Sequence, residues 1–191
     1  LVPGGTVTGA LASAVDLAPT LLALAHAAPL PQTDGVSLVP VLRDPQVEVR
    51  TVAFAEHNWH SFRAFERAVI TTDALYIRNW LPELSLPPPG EVVPTPAYQA
   101  MWALYEAGKL TPVQSDSFIA PRPAEELFWW TLDPHCVDNR AADPASTARL
   151  AVLREQLREW QRQTGDAFPV LGKLRGDDTD GFECSPRRYW S

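Results

Sequence analysis

The sequence predicts an α/β fold that passes into α+β, with a small antiparallel sheet packed on a C-terminal helix. Three observations carry this. A leucine-rich helical pattern precedes any strand candidate. Three short β-branched or aromatic runs then follow one another between residues 52 and 80, the last two joined by a tight connection. Finally, Leu150, Leu153, Leu157 and Trp160 form one stripe at helical spacing. The chain has 191 residues, enough to bury a real core.

In the first segment Asp16 is placed to cap a helix, and Pro19 is tolerated in its first turn. Leu17, Leu21, Leu22 and Leu24 would supply its apolar side through Ala27. Asp34-Gly35 signals a turn, and Ser37 can cap a short helix over Leu38–Leu42. The strand candidates are Val52–Ala55, Arg67–Thr72 and Ala74–Trp80. Thr72-Asp73 reads as a hairpin connection, so the last two should be antiparallel.

A proline-rich loop without periodicity runs from Leu81 to about Pro94, a length at which loops are often functional. Pro96 to Lys109 reads as a helix with Met101, Leu104 and Tyr105 on one side and Gly108 as its end signal. Glu125–Leu132 is the next strand candidate; Trp129 and Trp130 on it would face opposite sides. The last helix has Asp143 as N-cap, Pro144 at its first position and Gly165 just past its end. The tail after Phe168 has no strong pattern.

The formal net charge of -7 argues against nucleic acid or an anionic membrane as partner. An anionic substrate would need a local basic site. No apolar run reaches the length of a membrane span, and no signal peptide is visible. The opening Leu1-Val2-Pro3-Gly4-Gly5 reads as the interior of a longer protein. Cys136 and Cys184 give neither a disulfide framework nor zinc spacing.

The candidate site is the run Phe54-Ala55-Glu56-His57-Asn58-Trp59-His60-Ser61-Phe62-Arg63. It places ionisable groups at what reads as the end of a strand, where open α/β sheets bind ligands. His57, His60 and Arg63 could meet anionic substituents, Glu56 could accept from sugar hydroxyls, and Trp59 could stack on a ring. The competing reading makes the histidines satisfied structural residues, Trp59 a core residue, and Arg63 a surface partner of Glu66. Arg78 and Asn79 read as a simple strand exit. Cys184-Ser185-Pro186-Arg187-Arg188 fits a minimal C-x-P-x-R string, but Asp177-Asp178 beside it reads as a solvated acidic loop.

Four stretches together resemble a known family. They are Val15-Asp16-Leu17-Ala18-Pro19-Thr20-Leu21-Leu22, with His26 where a glycine is usual; Asp34-Gly35-Val36-Ser37-Leu38-Val39-Pro40; Ala55-Glu56-His57-Asn58-Trp59-His60 with Arg67-Ala68-Val69; and Arg122-Pro123-Ala124-Glu125-Glu126-Leu127-Phe128 with Asp133-Pro134-His135. Their order and spacing are similar to the C-terminal part of a sulfatase of the alkaline-phosphatase superfamily, most nearly the heparan N-sulfatase (sulfamidase) group. The resemblance implies a C-terminal fragment of an alkaline-phosphatase-like sulfatase fold. Residues 1–50 would end the main α/β domain, 51–168 would hold the small antiparallel-sheet subdomain, and 169–191 would be an irregular tail.

It also implies a parent enzyme that hydrolyses sulfate esters or sulfamates of sulfated sugars, such as glycosaminoglycans, in a soluble bacterial compartment. The nucleophilic formylglycine and the calcium ligands of such enzymes lie upstream of the matching region. This chain is therefore expected to hold no catalytic or metal-binding residue and to be inactive alone. Glu56, His57, His60 and Arg63 would contribute one wall of the substrate pocket. An arylsulfatase, a phosphonate monoester hydrolase, or a non-catalytic carbohydrate-binding module are the alternatives.

Overall fold

A computed structural model describes residues 2, 4–59, 63–86 and 88–166; the side chains at positions 59 and 63 fall outside that description. Among the described residues the helices are α1 (Leu17–Leu24), α2 (Val39–Arg43), α3 (Pro96–Glu106), α4 (Pro112–Ser115) and α5 (Thr147–Thr164), with short 3-10 turns ahead of α1 and α5 and after α4. Four strands, β1 (Ala53–Trp59), β2 (Arg63–Ile70), β3 (Leu75–Asn79) and β4 (Glu125–Phe128), form one sheet in the order β1-β2-β3-β4. Every neighbouring pair is antiparallel. The predicted hairpin between the second and third strands is present, with Ile70 opposite Leu75.

Strand alternation gives the sheet two different faces. One carries Phe54, Val69, Tyr76 and Leu127 and packs on Leu150, Leu153 and Leu157 of α5. Phe54 stacks on Trp160 at 5.2 Å between ring centroids. The predicted stripe of the last helix is thus the core. Polar clamps fix its angle: Arg154 Nε donates to Glu125 Oε1 at 2.8 Å, and Arg149 Nη2 donates to Asp73 Oδ1 at 2.7 Å, at the β2–β3 turn. The outer edge of β4 is covered by side chain and backbone, since the Leu127 N–H donates to Asn139 Oδ1 and the Arg140 N–H to the Leu127 carbonyl.

Asp143 accepts from the Ala145 N–H, and Gly165 closes α5 at φ 68°, as the sequence predicts. Thr95, ahead of Pro96, caps α3 by accepting from the Tyr98 N–H.

Three expectations need correction. Asp16 does not cap α1 with its side chain. It is fully buried and accepts from the N–H groups of Ser13 and Val36, both at 2.8 Å, and from Arg50. Burial works to raise its pKa, but these donors together hold it below the ordinary carboxylate value. Asp16 is therefore a brace between the α1 entry and the segment before α2. Gly35 lies in that brace, where an added Cβ would sit 2.0 Å from the Val15 carbonyl oxygen.

The end of α1 is the second correction, since the helix stops at Leu24, short of Ala27. Leu17, Leu21 and Leu24 on its apolar side are exposed, and α1 is fastened through Asp16 and Thr20. The Thr20 hydroxyl donates to the Asp16 carbonyl and accepts from the Leu38 N–H. Third, β4 ends at Phe128, so Trp129 and Trp130 follow the strand and do not alternate on it. Trp129 still packs against the core, and Trp130 anchors its indole N–H on the Thr71 carbonyl at 3.1 Å.

Candidate functional site

The polar run does not leave the end of a strand. β1 continues through it to Trp59, and β2 returns from Arg63, directly opposite. The pleat therefore divides the run between two faces, and Glu56 and His57 point to opposite sides of the sheet.

On the α5 side, Glu56 and Asn58 meet Arg67. Its guanidinium donates from Nε and Nη2 to the two Asp166 oxygens at 2.8 and 2.7 Å. Its Nη1 donates to Asn58 Oδ1 at 2.7 Å and to the Glu66 carbonyl at 2.8 Å. Glu56 is half-exposed and 3.7 Å away. Arg67 also lies 4.1 Å over the Phe65 ring. This network ties the far end of β1 to the turn after α5. The guanidinium holds Asp166 below the ordinary aspartate pKa, against the opposing effect of burial.

On the other side, His57 stands opposite Glu66 in register. Its Nδ1 lies 3.3 Å from Glu66 Oε2, and Glu66 Oε1 is taken by Arg122. Arg122 reaches on to Glu126 Oε1 at 3.4 Å, and its backbone N–H donates to the Pro82 carbonyl at 2.7 Å. Burial pushes Glu126 up, and Asp116 and Glu66 add to this against the pull of Arg122. For Glu66 burial also raises the pKa, but the His57 contact and Arg122 outweigh it and hold the carboxyl low. Ala55, Ala68 and Ile77 complete this face beside the charged row.

Of the four candidates, the structure thus gives His57, a third exposed, the partner Glu66 on one face and places Glu56 beside Arg67 on the other. His60 lies outside the described residues, and Arg63 is described only as the first residue of β2. Glu66 takes His57 and Arg122 as its partners. Glu66, Arg122 and Glu126 were not singled out from the sequence as site residues. Up to 60 positions separate them, so only the strand register brings them together; the sole sequence signal was the Arg122-to-Glu126 string itself.

Asn79 is buried and accepts from the Leu81 N–H at 2.9 Å, while Arg78 lies over the Trp80 ring, 5.6 Å from its centroid. Both serve the strand exit. The loop after it packs on α3 around a recess of about 420 Å³ lined by Leu86, Pro88, Val92, Tyr98, Met101 and Phe118. Cys136 is half-buried, and burial, Asp133, Asp116 and Glu126 push its thiol up, which disfavours the reactive thiolate. Cys184 and the string around it, with Asp177-Asp178, lie outside the described residues. Among the described residues, no group of three or more His, Cys, Asp or Glu side chains could hold a metal ion, and no helix is long and apolar enough to cross a membrane.

No family model matches the chain. The chain is 31% identical over 186 residues to the ulvan-active sulfatase of Formosa agariphila, covering 93% of this chain and 30% of that protein, its C-terminal part. The chain thus spans less than a third of the curated relative it matches. Among solved structures, a candidate sulfatase from Bacteroides thetaiotaomicron aligns with a TM-score of 0.52 at 22% identity, over 79% of this chain and 25% of that one. A 2-O GAG sulfatase aligns with a TM-score of 0.51 at 21% identity, over the same shares. A protein solved with its substrate D-glucosamine-2-N,6-O-disulfate aligns with a TM-score of 0.52 at 18% identity, over 81% of this chain and 24% of that one. The small antiparallel sheet with its C-terminal helix is therefore the fold of the matched quarter of these sulfatases. The chain is similar to the C-terminal part of a sulfatase, as its motifs suggest.

Proposed function

We propose that this chain is the C-terminal portion of an enzyme that hydrolyses sulfate esters or sulfamates on a sulfated sugar. The observation that carries the reading is the similarity to an ulvan-active sulfatase along 93% of the chain. The solved relatives of the same fold support the substrate class, because one is a GAG sulfatase and another binds a sulfated glucosamine. The narrower sulfamidase-like assignment rests on the strings around Glu56-His57-Asn58-Trp59-His60 and Arg122-Pro123-Ala124-Glu125-Glu126.

On this reading, residues 1–50 close the main domain and 51–168 build the small-sheet subdomain. Formylglycine and calcium would be supplied by upstream sequence, where they provide the nucleophile and charge neutralisation. What this chain supplies is position. His57, a third exposed and paired with Glu66, would contact an anionic or hydroxyl group of the sugar. His60 and Arg63, at the neighbouring end of the β1–β2 pair, would extend that wall. Glu56, beside Arg67, would chiefly keep the strand end in place.

The test is product analysis with the full-length protein that carries this chain. Ulvan oligosaccharides, D-glucosamine-2-N,6-O-disulfate, an aryl sulfate and an aryl phosphonate monoester would be offered, and released sulfate measured by ion chromatography. Sulfate release from a sugar substrate is expected. Cleavage of the phosphonate ester alone, or sugar binding without release of sulfate, would overturn the reading in favour of a phosphonate hydrolase or a carbohydrate-binding module.

A further inference from the structure

His57 is not held by its own strand. Its Nδ1 meets Glu66 Oε2 at 3.3 Å across the β1–β2 ladder. Glu66 is fixed in turn by Arg122, whose side chain is only 10% exposed and whose backbone is tied to the loop after β3. Three elements distant in sequence thus converge to set one imidazole. An ionised carboxylate can only accept hydrogen bonds. With Arg122 on one oxygen, the group that Glu66 requires from His57 on the other is an N–H. That places the ring proton on Nδ1 and leaves Nε2 as the ring nitrogen for other contacts. The pairing follows the general rule that a hydrogen bond at one ring nitrogen sets the role of the other.

We propose that Glu66 is the positioning residue for His57, fixing its proton on Nδ1 and presenting Nε2, as an N–H donor when the ring is protonated, to an anionic substituent of the sulfated sugar. The inference rests on the reading of His57 as a substrate-facing group and goes beyond it by naming the ring's working atom and the residue that sets it.

The charged surroundings agree. Glu66 faces the ring from β2. Arg122 and, beyond it, Glu126 on β4 lie on the same face and are joined to His57 through Glu66. Asn79 of β3 stands in the same cross-strand row. Glu56, Asn58 and Arg67 are on the opposite face and satisfied there with Asp166. The Glu66 carboxylate is therefore the acceptor that holds the Nδ1–H, and replacing it by an amide weakens that acceptor while keeping the shape.

The experiment compares wild type, His57→Ala and Glu66→Gln in the full-length protein. KM and kcat for D-glucosamine-2-N,6-O-disulfate or a sulfated ulvan oligosaccharide are measured at one neutral pH. For Glu66→Gln, KM should increase roughly five- to tenfold, the loss of about one hydrogen bond's worth of positioning, with kcat within about twofold. If His57→Ala weakens turnover but Glu66→Gln keeps the wild-type KM, or lowers kcat with KM unchanged, the positioning role is wrong while His57 stands. If His57→Ala changes nothing, the reading of His57 fails and this inference with it. Nitrogen-15 NMR of the wild-type ring gives a test that needs no variant. The neutral ring should be protonated at Nδ1, and an Nε2-protonated ring would overturn the proposal.

Discussion

Replacing Asp166 by alanine should cost the protein about 3 kcal/mol of stability. Arg67 is 2% exposed, and Asp166 satisfies both Nε and Nη2 of its guanidinium. The next carboxylate, Glu56, is 3.7 Å away and half-exposed, too distant and too solvated to replace it. Breaking a buried ion pair from one side costs about 3–5 kcal/mol, because the remaining charge stays buried without its partner. Asp166 itself is 13% exposed and follows the last turn of α5, so water can reach part of the gap and the low end applies. With a urea m-value of about 2 kcal/mol/M the midpoint should fall by about 1.5 M.

The pH dependence gives an independent check. The folded pKa of Asp166 lies below its ordinary value of 3.8, chiefly through the Arg67 hydrogen bonds. The stabilisation is therefore complete above the ordinary aspartate range and is lost as pH falls through the lower folded value. The gap between wild type and Asp166→Asn should be widest at neutral pH and close on acidification. A loss below about 1 kcal/mol by urea denaturation at neutral pH, or a gap that widens on acidification, would refute the reasoning.

Two further substitutions probe the core and a helix end. Leu153 is fully buried at the centre of the sheet–helix contact, so Leu153→Ala should cost about 2–5 kcal/mol in the same assay, and a loss under 1 kcal/mol would contradict that placement. His26 sits just past α1 at φ 53°, with the His26 N–H on the Ala23 carbonyl and the Ala27 N–H on the Leu22 carbonyl, the pattern that favours glycine. His26→Gly should therefore stabilise by about 0.5–1 kcal/mol, and thermal melting would show the opposite sign if the backbone strain were absent.

The sheet–helix unit was legible because its signals are local and periodic. Leu150, Leu153, Leu157 and Trp160 repeat at helical spacing, Asp143, Pro144 and Gly165 mark the ends, and Thr72-Asp73 marks the hairpin. The departure at His26 was legible too, since a glycine is usual there, and the left-handed backbone supplies the reason. What the sequence hid is pairwise and distant. Asp16 read as a helix cap because capping is the local use of an aspartate, but its acceptors are taken by Val36 and Arg50. The run from Glu56 to His60 read as one cluster because its members are adjacent; a strand sends adjacent side chains to opposite faces. The start of β2 was placed four residues late for the same reason, since polar residues continue into the paired strand. Glu66 and Arg122 became part of the site only through the register of β1 with β2 and the return of the chain after β3.

The most direct test is His57→Ala in the full-length protein, assayed for sulfate release from a sulfated sugar and for thermal stability side by side. Loss of a charge-assisted contact worth about 1.5–3 kcal/mol corresponds to a drop in kcat/KM of roughly 10- to 100-fold. The ring is a third exposed and lies outside the apolar core cluster, so Tm should move by no more than a few degrees. An unchanged kcat/KM, or a fall in activity that only tracks a large fall in Tm, would contradict a substrate-facing role for this face of the sheet.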